Sequence, residues 1–313
     1  MKSNHAEATL ALPAPGLMQQ PAILLVVTGT LIGLNFPLGK IAGEAGISPV
    51  VWALMISMGA AMIMLPVLLL RRALVIPGMR LARYAATSAL VSFVAPNLLL
   101  FSVIPHAGAG YTGLMFALSP VFTLAIATLF RLKTPGRLGL AGIAVGLIGA
   151  ALVSVTRGSM PNAPDLVWLV LAVLIPVALA VGNVYRTVAW PADATPDVLA
   201  FWSHLIAGGI FVVILLLAAG EISPAELAAA PLAVMAQLAV SGLTFPVFYR
   251  LQQRGGPVLL SQIGYVASAV GLVCATVFLG ERYSPLTWAG AGVIALGIGI
   301  TLYAQRNERK QSA

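Results

Sequence analysis

Ten apolar stretches, each roughly 17 to 24 residues long and divided by short loops, occupy almost the whole chain from Ala22 to Ala304. This pattern admits one solvent. A helix needs about 20 mostly apolar residues to cross the hydrocarbon core of a bilayer, where no water satisfies backbone groups left outside a helix. The spans are expected near 22–39, 49–70, 84–104, 109–130, 138–155, 165–185, 198–218, 231–249, 257–279 and 286–304. Of the chain, 60% is hydrophobic and only 8% charged, which leaves little for a soluble domain. Cys274, the single cysteine, falls inside the ninth span and reads as packing, since it has no partner for a disulfide.

The net charge of +8 does not mark a nucleic-acid binder. With a cytoplasmic N-terminus, 14 of the 17 basic residues fall in inner segments and only Lys40, Arg157 and Arg282 outside. That is the positive-inside bias, and it predicts both termini in the cytoplasm. Residues 1–20 lack the continuous apolar core of a secretory signal and read as a cytoplasmic tail; residues 306–313 read as a second, basic one.

Displacing the chain by 148 residues sets span one on span six and span five on span ten. Leu138, Ala141, Gly142, Val145 and Gly149 then recur as Leu286, Ala289, Gly290, Val293 and Gly297, on one helix face. Such a stripe of small residues lets membrane helices approach closely. Gly108 meets Gly256 and Asn35 meets Asn183. Two units of five spans, 21–156 and 164–305, must enter the membrane from opposite sides because five is odd. The expected fold is therefore all-α and integral to the membrane, with ten transmembrane helices in two inverted five-helix repeats, a construction common in secondary transporters.

Polar side chains at helical spacing mark faces turned away from lipid. Span three offers Ser88 and Ser92, span four Thr112, Phe116, Ser119 and Thr123, span eight Gln237, Ser241, Thr244 and Phe248, and span nine Ser261, Gln262, Tyr265 and Ser268. Asn35 and Asn183 add amides in spans one and six. The simpler reading of each Ser or Thr is a bond back to the carbonyl one turn earlier. No Asp or Glu sits near the middle of a span, which argues against a carboxylate proton relay and leaves His204 as the one possible coupling group. Lys40 and Arg186, near span ends, read as anchors that snorkel to the interface, so the lining reads as neutral and poorly suited to phosphorylated solutes.

Gly33, Asn35, Phe36 and Lys40, then Ser119-Pro120-Val121, then Leu279-Gly280-Glu281-Arg282 followed by Gly290 and Gly297, resemble the motifs of the drug/metabolite transporter superfamily, specifically its EamA-type ten-helix exporters. The chain departs from the pattern at Ile32, where the family usually has tryptophan, and around Ile56 and Ser57, where an arginine is common. The resemblance implies a central cavity lined mainly by spans three, four, eight and nine. Together with the residues it implies an inner-membrane secondary transporter, an exporter of small neutral, zwitterionic or aromatic metabolites such as amino acids. The candidate substrate-binding residues are Asn35, Ser92, Thr112, Phe116, Ser119, Asn183, Ser241, Thr244, Gln262 and Tyr265. The alternative within transport is an organic cation or amine held on Phe116, Phe248 and Tyr265. An integral-membrane enzyme or a non-transporting scaffold are readings of other classes; the three separated histidines suit the first poorly and the polar stripes are unneeded by the second. Partners are a small-molecule substrate and the bilayer, with no cofactor, metal or nucleic acid expected.

Overall fold

The computed structural model describes residues 20–132, 136–158, 164–218 and 224–311; the N-terminal tail and Lys133 lie outside these. The described residues are helical throughout, without strands. Seven helices contain a stretch long and apolar enough to cross a membrane, and three shorter apolar stretches complete the ten spans of the fold.

Helix α1 runs as Pro21–Gly33 and, past a break at Leu34, as Asn35–Glu44; α2 is Pro49–Leu70, α3 Met79–Ala107, α4 Ala109–Leu129 and α5 Arg137–Gly158. In the second half α6 is Leu166–Val188, α7 Pro196–Leu217, α8 231–255, α9 257–278 and α10 Pro285–Gln311. Proline opens α2, α7, α8 and α10, where its fixed φ suits the first turn and its missing N–H is no loss. Ser48 caps α2 by accepting from the Val51 amide at 3.2 Å.

The tightest turns carry the repeat. α3 passes into α4 through Gly108 alone, at φ 94°, and α8 passes into α9 through Gly256 alone, at φ 67°. Only glycine takes that region at low cost, and these two glycines are the pair that the 148-residue displacement superposes.

Helix packing is unchanged when the halves are exchanged. α5 packs along α10, α2 along α7 and α4 along α9, while α1 lies against α8 and α9 as α6 lies against α3 and α4. The fold is thus two inverted five-helix repeats in one membrane bundle. The α5–α10 seam is close to backbone on backbone: an added Cβ at Gly297 would lie 2.4 Å from the Gly146 nitrogen and 2.8 Å from the Gly142 oxygen. Among the described residues, none from these two helices lines the central cavity.

Candidate functional site

Between the halves lies a cavity bounded by α1, α2, α3, α4, α6, α8 and α9. Space open to the centre of a water-sized sphere is about 70 Å³, within about 670 Å³ of atom-free volume that includes its mouth. Much of the wall is aromatic: Phe93 and Phe101 from α3, Phe116 from α4, and Phe245 and Phe248 from α8. Polar atoms enter as Asn35, Ser92, Asn97, Ser119 and Asn183.

The charge on this wall is Arg186, and it overturns the neutral lining and the surface anchor expected for it. Arg186 is 2% exposed and lines the cavity. Its Nε donates to Gln252 Oε1 at 2.7 Å and Nη2 to Asn183 Oδ1 at 2.7 Å, and its guanidinium lies 4.9 Å from the Phe248 ring centre and 5.7 Å from that of Phe93. Gln252 is held in turn, donating to the Asn183 carbonyl at 3.1 Å and to Thr187 Oγ1 at 3.1 Å. Among the described residues no carboxylate pairs with Arg186. An isolated cation inside a membrane protein is expensive, and such groups face protein or water-filled cavities and mark substrate or ion pathways.

Of the residues expected at the site, Asn35, Ser92, Phe116, Ser119 and Asn183 line this cavity. The amide of Asn35 is largely used locally: its Nδ2 caps the Leu31 and Ile32 carbonyls at the α1 break, and its Oδ1 accepts from Gln237 Nε2 at 2.8 Å. The Ser92 hydroxyl is buried without a protein partner among the described residues. Thr112 and Thr244 instead bond back to the Gly108 and Val240 carbonyls, at 2.7 and 2.6 Å. Ser241 accepts from Gln237 at 2.9 Å. Gln262 sits at the break inside α9, and the Tyr265 hydroxyl is buried without a partner among the described residues; neither they nor Thr112, Ser241 and Thr244 line the cavity. His204 packs behind the wall, its ring 4.0 Å from Phe93 and 3.8 Å from Phe245, fully buried and with neither ring nitrogen bonded among the described residues.

Sequence reasoning missed Arg186, Gln252, Phe93 and Asn97. Helical spacing carried a signal for the first, because Arg186 stands three residues after Asn183 and so shares its inward face. For Asn97 it did not. α3 contains a π-helical turn, Ala89–Val94, whose wider period lets Ser92 and Asn97, five residues apart, reach the same cavity.

The two ends of the cavity are built differently. Beyond Arg186, Tyr84, Tyr185, Trp190 and Tyr249 form a ring cluster with centres 6.0 to 6.4 Å apart, Tyr84 stacked on Tyr185 and edge-on to Trp190, joined to α3 by a Ser88–Tyr249 hydroxyl contact of 3.4 Å. Tyr84 and Tyr185 also line a surface pocket with Arg80 and Arg83. At the other end Lys40 Nζ donates to Glu281 Oε1 at 2.7 Å, so Lys40 is half of an ion pair and not a free anchor. The Glu281 carboxylate further accepts from the Ala109 amide at 2.8 Å, the Gly110 amide at 3.1 Å and the Tyr283 hydroxyl. Burial alone would push this carboxyl up, but the Lys40 ammonium, the Tyr283 hydroxyl and the two amides together hold it below the usual carboxylate range.

A family model described as the EamA-like transporter family matches residues 20–155 and, a second time, residues 166–303. The chain belongs to this family of membrane transporters. This EamA-like transporter is 26% identical over 245 residues to an uncharacterized inner membrane transporter YedA of Escherichia coli (strain K12), covering 77% of each chain. It is 31% identical over 204 residues to a probable terminal-alkyne amino-acid exporter of Streptantibioticus cattleyicolor, covering 64% of this chain and 66% of the relative. A protein known from a crystal structure superposes with a TM-score of 0.62 over 91% of this chain and 98% of its own, at 20% identity, a likeness of fold alone.

Proposed function

We propose that this EamA-like transporter exports small carboxylate-bearing metabolites, apolar or aromatic amino acids foremost, across the inner membrane by alternating access. Both termini are then cytoplasmic, following the distribution of basic residues. The observation that carries the substrate class is Arg186, a buried guanidinium on the cavity wall with no carboxylate partner among the described residues. A planar guanidinium matches a carboxylate in a forked pair of hydrogen bonds, and here Gln252 and Asn183 fix its orientation from two sides. The aromatic wall takes the apolar part of the solute, while Ser92 and Asn97 offer acceptors to an amine. The name of the Streptantibioticus relative supports an amino-acid substrate.

An organic cation is the poorer fit. It would meet a like charge, and the faces of Phe93 and Phe248 are already turned to Arg186. Thermal stabilisation of the purified protein separates the two readings. Phenylalanine, leucine and their N-acetyl derivatives are expected to raise Tm, and phenethylamine and isoamylamine, which lack the carboxyl group, are not; the reverse order would discard the carboxylate reading. Since no carboxylate among the described residues lines the cavity and His204 stands behind its wall, flux of a stabilising solute down its own gradient in liposomes is expected to persist without a proton gradient. Strict dependence on an imposed proton gradient would instead make His204 the coupling group.

A further inference from the structure

Glu281 joins four parts of the bundle at one end of the cavity. Its backbone nitrogen bonds the Ala275 carbonyl at the end of α9, and its carboxylate takes Lys40 of α1, the first two amides of α4, and Tyr283 before α10. The carboxylate lies against the glycine turn: a Cβ on Gly108 would stand 3.1 Å from Oε2. The Tyr283 hydroxyl also receives the Tyr111 amide at 3.2 Å, a second tie between the α9–α10 loop and α4. Both members are shielded, with side chains 19% exposed for Lys40 and 8% for Glu281, so the pair is less screened than a surface salt bridge.

The repeat shows that this is not a by-product of symmetry. The positions equivalent to Lys40 and Glu281 at the opposite end are Val188 and Lys133, which cannot form an ion pair. There Tyr84, Tyr185, Trp190 and Tyr249 lie beyond Arg186 as a ring cluster, one pair stacked and the others edge-on or tilted, whose ring contacts are van der Waals and can part without stranding a charge. From this asymmetry we infer that Lys40 and Glu281 form the latch that seals one face of the transporter, and that the pair must open for solute to pass on that side. The latch rests on the alternating-access reading. It assigns these two residues to the transport cycle as gate residues, apart from the solute-binding wall.

The test reads the exposure of a cavity thiol from each face. In a Cys274→Ser background Ile32→Cys places one thiol on the cavity wall, and membrane-impermeant maleimide is applied to right-side-out and to inverted membrane vesicles. A separate Arg282→Cys variant, exposed beside the latch, shows which preparation presents the Lys40 face. Adding Glu281→Gln or Lys40→Gln is expected to raise labelling of Ile32→Cys from the Lys40 face about tenfold and to lower it from the other, the shift produced when one state loses a charge-assisted hydrogen bond. The exchanged pair, Lys40→Glu with Glu281→Lys, restores part of the closure. Unchanged labelling from the Lys40 face overturns the latch while leaving alternating access standing. A parallel rise from both faces means that the bundle has merely loosened, and overturns both.

Discussion

Arg186→Met is expected to reduce kcat/KM for a carboxylate solute by about two to four orders of magnitude while leaving the protein as stable as before, or more so. The loss follows from two hydrogen bonds between charged groups, at about 1.5 to 3 kcal/mol each. The sign of the stability change is the more telling part. Arg186 is buried, draws on Gln252 and Asn183 and has no carboxylate partner among the described residues, so in the empty protein its desolvation is only partly offset. A methionine, though shorter, removes that cost and keeps a polarizable apolar group beside Phe93 and Phe248, against the loss of the donor to Gln252 Oε1 and Asn183 Oδ1. Arg186→Lys keeps the charge without the planar fork and is expected to lose about tenfold. Counterflow in liposomes and the Tm of the same preparations measure both quantities. A variant that transports normally but melts many degrees lower would make Arg186 a structural residue and move the substrate site elsewhere.

What the sequence made legible, and what it did not, divides by the range of the interactions. Ten spans, two inverted halves and the glycine seam are written in local composition and in a repeat of small residues, because the bilayer imposes length and hydropathy on every span separately. Gly108 and Gly256 matched at one displacement and proved to be the two single-residue turns at positive φ. The charge of the site was hidden by its position: Arg186 stands two residues from the end of α6, where an arginine ordinarily reaches the interface. Only the packing of α3 and α8 around it, with the rings of Phe93, Phe248 and Tyr249 centred 4.9 to 6.0 Å from its guanidinium, holds it at the cavity. Lys40 and Glu281 were visible as motif residues, yet 241 positions apart nothing local joins them. Several serines and threonines followed the plainer rule of bonding back one turn, which helical spacing cannot tell from a lining position.

The α5–α10 seam supports the largest expected effect on folding. Gly297→Leu places a branched side chain where even a Cβ would stand 2.4 Å from the Gly146 nitrogen, against backbone that cannot rotate away. Overpacking of well-filled protein costs about 1 to 3 kcal/mol, and a clash with main chain falls at or above the upper end of that range. Gly290→Leu meets the Val153 side chain first, at 2.6 Å to Cγ2, and its cost is expected to be smaller because a side chain can shift. The control lies on the same helix: a Cβ at Gly292 meets nothing within 4 Å, so Gly292→Leu adds an apolar group on a free face and should accumulate normally. Monodisperse yield after detergent extraction, with the Tm of each variant, ranks the three. The seam also lies outside the cavity wall, so whatever Gly290→Leu protein folds should select the same solutes as the parent. A changed solute preference in that variant, or full yield of Gly297→Leu, would mean that α5 and α10 move apart during transport and that the small residues serve motion more than packing.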